Sequence, residues 1–178
     1  VNPAFLPTND PRGGEQRAAD FLAATAARAG LAVEFQTVFP GRANLMARLT
    51  PTGPVKQRIL LAPHMDTVGS AAMPATLFQP REKNGRLFGR GACDTKGSVA
   101  AMLTALICLA EKGRRPAATE IIFAGLIDEE NGQSGSRALA GSGFSADLAI
   151  VGEPTRLQVV TAHKGDLWLR LETRGKSA

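Results

Sequence analysis

Three short apolar runs constrain this chain more than any other feature. Arg58–Ala62 carries Ile-Leu-Leu-Ala, Glu120–Ile127 carries Ile-Ile-Phe-Ala-Gly-Leu-Ile, and Asp147–Val151 carries Leu-Ala-Ile-Val. Each is short for a helix and lacks a polar alternate position, the pattern of a strand buried on both faces. Helical patterns lie between them. Lys96–Lys112 places Val99, Met102, Leu103, Leu106 and Ile107 on one stripe and is closed by Gly113. Gly135–Leu139 predicts a shorter helix, and Glu15–Ala29 an Ala-rich one ended by Gly30. Buried strands alternating with helices predict an α/β fold, a three-layer sandwich. Leu31–Val38 and Asn44–Leu49 precede the first buried run and predict antiparallel edge strands, so the sheet should be mixed but mostly parallel.

Two smaller elements are expected. Asn84-Gly85, flanked by Phe78 and by Leu87-Phe88, predicts a tight hairpin. Leu157–Thr161 and Leu167–Glu172 predict an antiparallel pair around Lys164-Gly165. Trp168, alternating with Leu167, Leu169 and Leu171, reads as packing, and so does Cys93.

Composition excludes several classes. A chain of 178 residues with 44% hydrophobic and 21% charged residues is ordinary for one globular domain, and neither disorder nor a coiled coil fits it. The net charge of +5 raises the question of nucleic acid. The basic residues are scattered, however, and the densest group is Gly113-Arg114-Arg115. Aromatic residues make only 5%, with no Tyr, so stacking platforms are scarce. The longest apolar run, Val99–Ala110, is too short to span a bilayer, and no signal-peptide pattern opens the sequence. No nucleic-acid or membrane partner is therefore expected. The two cysteines, Cys93 and Cys108, make no disulfide framework and suit a reducing, cytoplasmic compartment.

The most unusual polar residues stand just beyond the carboxyl ends of the three runs, where α/β sheets bind ligands. The first run delivers His64 and Asp66, the second Asp128, Glu129 and Glu130, and the third Glu153. Asp94 stands before the Lys96 helix in a glycine-punctuated loop, Gly89-Arg90-Gly91-Ala92-Cys93-Asp94. Each residue has a simpler reading: a core histidine, a helix cap at Asp94, a solvated pair at Glu129-Glu130, a turn at Glu153-Pro154. Together His64, Asp66, Asp94, Glu129, Glu130 and Glu153 describe one crevice holding an imidazole and five carboxylates. Like charges at that density raise one another's pKa, and one or two divalent cations offset the repulsion. The donor set suits zinc, with cobalt or manganese as weaker fits. The two-residue spacing lets His64 and Asp66 face the same way, so that Asp66 can orient the imidazole. His163 and Lys164 sit in a bend where a basic pair could meet an anionic substrate or simply be solvated.

Four ordered motifs carry a resemblance: Pro63-His64-Met65-Asp66-Thr67-Val68, then Gly89–Gly97 (Gly-Arg-Gly-Ala-Cys-Asp-Thr-Lys-Gly), Asp128-Glu129-Glu130, and Gly152-Glu153-Pro154-Thr155. The chain, from Val1 to Ala178, resembles the M20 metallopeptidases, the group of acetylornithine deacetylase, succinyl-diaminopimelate desuccinylase and carboxypeptidase G2. The resemblance implies a zinc-peptidase-like fold and two zinc ions bridged by Asp94. One ion would also take His64 and Glu153, the other Glu130 and a histidine near the far C-terminus of the family's longer chains. Asp66 would support His64, Glu129 would be the general base, and the Asp94–Thr95 peptide would be cis. The implied reaction is hydrolysis of the amide bond of N-acyl amino acids or small peptides by metal-activated water. His163 and Lys164 are candidates to touch the substrate carboxylate. Family members insert a lid domain after a segment like residues 174–178 and form homodimers through it. Residues 1–173 are thus expected to be part of a catalytic domain, and 174–178 the start of a linker. The alternative is a non-catalytic metal-binding or structural fragment.

Overall fold

The computed structural model describes residues 1–111 and 113–176. Helix α1 (Gln16–Arg28) is followed by strands β1 (Ala32–Phe39), β2 (Arg42–Leu49) and β3 (Gln57–Ala62). A hairpin of β4 (Arg81–Lys83) and β5 (Arg86–Phe88) comes next. Then follow α2 (Gly97–Glu111), β6 (Thr119–Gly125), α3 (Ser134–Gly141) and β7 (Leu148–Val151). Five strands form one sheet in the order β1-β2-β6-β3-β7.

The three layers follow from strand parity. Leu45, Ala47, Leu49, Leu61 and Phe123 face one side of the sheet, where Ala19, Ala23 and Ala26 of α1 and Val99, Leu103 and Leu106 of α2 cover them. Their spacings of three and four residues place each set on one helical face. The small alanines let α1 approach the sheet closely. Met46, Ala62, Ile122 and Ala124 face the other side and pack on Leu139 of α3.

The sheet is mixed, but it is not mostly parallel. β2 runs antiparallel to both β1 and β6, and β3 runs parallel to both β6 and β7, so the two kinds of pairing are equal in number. The third apolar run is an edge strand, with β3 as its sheet neighbour, and Leu148, Ile150 and Val151 are exposed. An apolar run marks what a strand can bury, not how many neighbours it finds. The hairpin at Asn84-Gly85 is present, with both residues at positive φ (53° and 68°), as a type I′ turn requires.

The pair expected at Leu157–Thr161 and Leu167–Glu172 does not form. Residues 152–176 contain no strand, and Leu157, Val159, Leu167, Trp168, Leu169 and Leu171 are exposed. A two-stranded hairpin is marginal without a further apolar layer, and the described residues supply none beside it. Trp168 and Cys93 therefore lie on the surface, contrary to the packing reading. Residues 177 and 178 of the expected linker lie outside the described residues.

Ala92–Glu111 is long and apolar enough to cross a membrane by length and composition. Its regular part, α2, has 15 residues and spans about 22 Å, short of a hydrocarbon core of about 30 Å. Asp94 and Thr95 within the stretch have non-helical dihedrals, and Val99, Leu103 and Leu106 are buried against the sheet. It packs one face on the sheet.

Phe123 is fully buried at the centre of the sheet, whereas Leu157 is fully exposed. Phe123→Ala should cost about 3–5 kcal/mol in urea unfolding. Leu157→Ala should stay within about 0.5 kcal/mol.

Candidate metal centre

β3 and β6 continue past their ends through a bridge between His64 and Leu126, closed by Met65 N–H to Leu126 O (2.7 Å) and Leu126 N–H to Pro63 O (3.0 Å). This keeps residues 63–66 extended, and His64 and Asp66, two residues apart, share a face. Both are buried. His64 Nε2 lies 2.9 Å from Asp94 Oδ1, 3.7 Å from Glu129 Oε2 and 4.0 Å from Glu153 Oε1. On the other side of the ring, Nδ1 lies 3.3 Å from Asp66 Oδ1, within reach of its charge but without an aligned hydrogen bond.

Asp66 does more than back the imidazole. Its Oδ1 accepts the Glu129 N–H (3.1 Å), and its Oδ2 accepts the Glu130 N–H (3.2 Å) and Asn2 Nδ2 (2.7 Å). One carboxylate thus ties the end of β3 to the loop after β6. In that loop Asp128 takes φ of 61°, a left-handed turn. Its carboxylate accepts Asn2 Nδ2 (2.9 Å), the Ser134 hydroxyl (2.6 Å) and Arg42 Nη2 (3.4 Å). Asp128 is therefore held in the protein, while Glu129 and Glu130 reach the cleft.

Asp94 is set by its own loop. Gly91 has φ of 81°, and a Cβ there would lie 2.6 Å from the Thr67 methyl. The Asp94–Thr95 peptide is cis, as the resemblance implied. Buried Thr95 donates its hydroxyl to Gly152 O, which fixes the Asp94 loop to the turn bearing Glu153. A Cβ on Gly152 would meet Ser98 at 2.6 Å, so only glycine lets that turn sit against α2. Lys96 Nζ donates to Met65 O (2.6 Å). Glu130 Oε1 accepts the Val68 N–H (3.1 Å).

Two groups of side chains could each hold a metal ion: His64, Asp94 and Glu130, and His64, Glu129 and Glu153. Within each group the candidate ligand atoms lie within 4.8 Å of one another. The crevice predicted from strand ends is therefore assembled, and all six of its residues lie in these groups or, for Asp66, beside them. The grouping by proximity differs from the division the resemblance implied, since Glu129 stands with Glu153 and Asp94 with Glu130. His163 and Lys164 lie outside both groups on the exposed segment after β7, where His163 Nδ1 accepts the Gly165 N–H (3.1 Å). Asn2, Glu15 and Arg42 had no signal in the sequence. Asn2 and Glu15 look like loop and helix-entry residues, yet both are buried, and Glu15 is paired with Arg42 through two contacts of 2.6 and 2.9 Å.

Crowding shapes the protonation of the cluster. Burial disfavours the His64 imidazolium, but Asp66 and Asp94 outweigh it and push its pKa up to about 9. Burial and the neighbouring Glu129, Asp94 and Glu130 charges raise Glu153 to about 7 against the pull of His64. Glu129 and Glu130 are raised by burial and by the acids around them. Asp66 goes the other way: burial would raise it, but His64 and Asn2 hold it below the usual carboxylate range. The chain's own cation at this point is a buried imidazole with one nitrogen lacking an aligned partner. A metal ion fits this donor set of one imidazole and several carboxylates, and it supplies the charge the acids need.

A scaffold that gathers side chains able to hold a metal beyond the carboxyl ends of its strands is what the fold and site define. The chain belongs to peptidase family M20/M25/M40, whose family model matches residues 60–165. It is 35% identical over 171 residues to the LysW-lysine/LysW-ornithine hydrolase of Sulfurisphaera tokodaii, covering 94% of this chain and 42% of that protein. It is 36% identical over 162 residues to the acetylornithine deacetylase of Myxococcus xanthus, covering 88% and 41%. Among solved structures, a tripeptidase from Staphylococcus aureus superposes with a TM-score of 0.60 at 27% identity, over 74% of this chain and 36% of that one. The chain thus spans about two fifths of the length of these curated relatives.

Two expectations follow for zinc titrations of metal-free chain. His64 offers Nε2 to both groups and can serve only one ion, so one zinc per chain should bind much more tightly than a second, by calorimetry. The pH dependence has a definite sign. His64 and Glu153 both have raised pKa values in the folded chain, so each stabilises it when protonated. Glu153's contribution falls as pH rises toward about 7, and His64's is present below about 6.5 and lost through about 9. The thermal midpoint of metal-free chain should fall from about pH 5 to about pH 9, and the zinc-induced increase should grow over the same range.

Proposed function

We propose that this chain supplies metal ligands and a general base to a zinc-dependent hydrolase that cleaves the amide bond of N-acyl amino acids or small peptides. The observation that carries the reading is the convergence of His64, Asp94, Glu129, Glu130 and Glu153, from four separate segments, around one buried imidazole nitrogen. The names of the relatives, a deacetylase acting on acetylornithine and a hydrolase of lysine and ornithine conjugates, support amide substrates on amino acids.

In this reading Asp94 would serve two metal ions, one held also by His64 and Glu153 and the other by Glu130. Zinc bound there would acidify water and polarise the substrate carbonyl; cobalt or manganese could replace it. The remaining work falls to the chain. Asp66 keeps His64 oriented. Glu129, half-buried and with its pKa raised, takes a proton from the attacking water and returns it to the leaving amine nitrogen as the amide C–N bond breaks. The exposed His163 and Lys164 meet a substrate carboxylate only if the segment after β7 folds toward the cleft. Residues 1–173 act as part of the catalytic domain, and a homodimer forms through a lid domain beyond them. Two free cysteines support a reducing, cytoplasmic setting.

Glu129→Gln in the full-length protein should lower kcat on N-acyl amino acids at least about a hundredfold while zinc content, by elemental analysis, stays unchanged. Loss of a zinc ion with the activity would make Glu129 a ligand instead of the base. No hydrolysis of any N-acyl amino acid or dipeptide by the unaltered protein would overturn the function.

A further inference from the structure

We propose that Asn2 is a positioning residue of the metal centre, locking Asp66 beside His64 and, through Asp128, holding the Glu129–Glu130 turn at the same imidazole. The assignment rests on the reading above that His64 and its neighbours hold zinc. Asn2 is completely buried. Its Nδ2 donates to Asp66 Oδ2 at 2.7 Å and to Asp128 Oδ1 at 2.9 Å, residues 64 and 126 positions away. Its Oδ1 accepts the Ala4 N–H at 3.0 Å, and its own N–H donates to Thr67 O at 2.9 Å. All the hydrogen-bonding groups of the side chain are thus used, at the point where three distant segments meet.

The chemistry demands this residue type. Two buried carboxylates here share one nitrogen, which must carry two hydrogens, and the adjacent atom must accept. A primary amide meets that condition. Glutamine would be one methylene too long, serine has a single donor, and aspartate has none and would add a third charge. His64 Nε2 is hydrogen-bonded to Asp94 Oδ1 (2.9 Å), while Nδ1 has no aligned partner, so on that side the ring is held by the charge of Asp66 at 3.3 Å. Asp66 in turn fixes the backbone of Glu129 and Glu130. Freeing Asp66 Oδ2 from Asn2 therefore disturbs both a ligand and the loop that carries two more. Outer partners of metal ligands typically contribute about 10–100-fold to metal affinity.

The test uses the 178-residue chain with Asn2→Ala, Asn2→Ser and Asn2→Asp. Three quantities are measured: the zinc dissociation constant by chelator competition, the ring-nitrogen NMR signals of His64 without zinc, and the thermal midpoint. The chain has two histidines, and exposed His163 serves as the internal reference. Asn2→Ala should weaken zinc binding about 10–100-fold, and Asn2→Asp more, with the His64 signals moved and those of His163 fixed. Asn2→Ser, which keeps one donor, should recover part of the affinity and carries the test if Asn2→Ala does not fold. Folded variants with unchanged zinc affinity and unchanged His64 signals, even at a lower thermal midpoint, would overturn the proposal and leave Asn2 as packing. If the unaltered chain binds no zinc, the functional reading fails, and the positioning role is decided by the His64 signals.

Discussion

The arrangement depends on one buried carboxylate. Asp66 receives the amides of Glu129 and Glu130, the side chain of Asn2 and the charge of His64, at the junction of β3 and the loop after β6. Burying a carboxylate is costly unless it is hydrogen-bonded and faces a cation. Asp66 meets both conditions, which is why it stays ionised where its neighbours are pushed toward neutrality. Because its partners come from the N-terminal segment, β3 and the β6 loop, that single ionised group specifies how three parts of the chain meet.

Around it the site is graded from dry to wet. The His64 side chain is 1% exposed, Glu153 35%, Glu129 40% and Asp94 52%. The floor is rigid because the sheet continues through the His64–Leu126 bridge and because Thr95 and Gly152 join the Asp94 and Glu153 loops. The rim is acidic and solvated, so its carboxylates repel one another in the absence of a cation and can rearrange around one. The same contrast separates stability from chemistry: the apolar layers of α1, α2 and α3 hold the sheet, while the cluster of like charges at its carboxyl ends opposes folding and needs a counter-charge.

The apolar pattern alone determined that this chain builds an α/β sheet and which residues stand at its strand ends. The unbroken apolar runs and the three-to-four-residue helical spacing are local properties, and β3, β6 and α2 fall where they require. The turn at Asn84-Gly85 was legible for the same reason, since positive φ at both positions is a property of those two residues. The motifs around His64, Asp94, Glu129-Glu130 and Glu153 were legible because metal chemistry restricts which residue types can ligate. Only the tertiary structure decided what requires two distant segments to meet. It made β7 an exposed edge and left Leu157–Glu172 without a strand partner, because strand formation there depends on a neighbour that no local pattern encodes. It balanced parallel and antiparallel pairs, because the place of β6 between β2 and β3 is a choice of topology. It also recruited Asn2, Glu15 and Arg42, whose roles come from burial beside charges brought from elsewhere in the chain, a condition that exists only once the chain has folded.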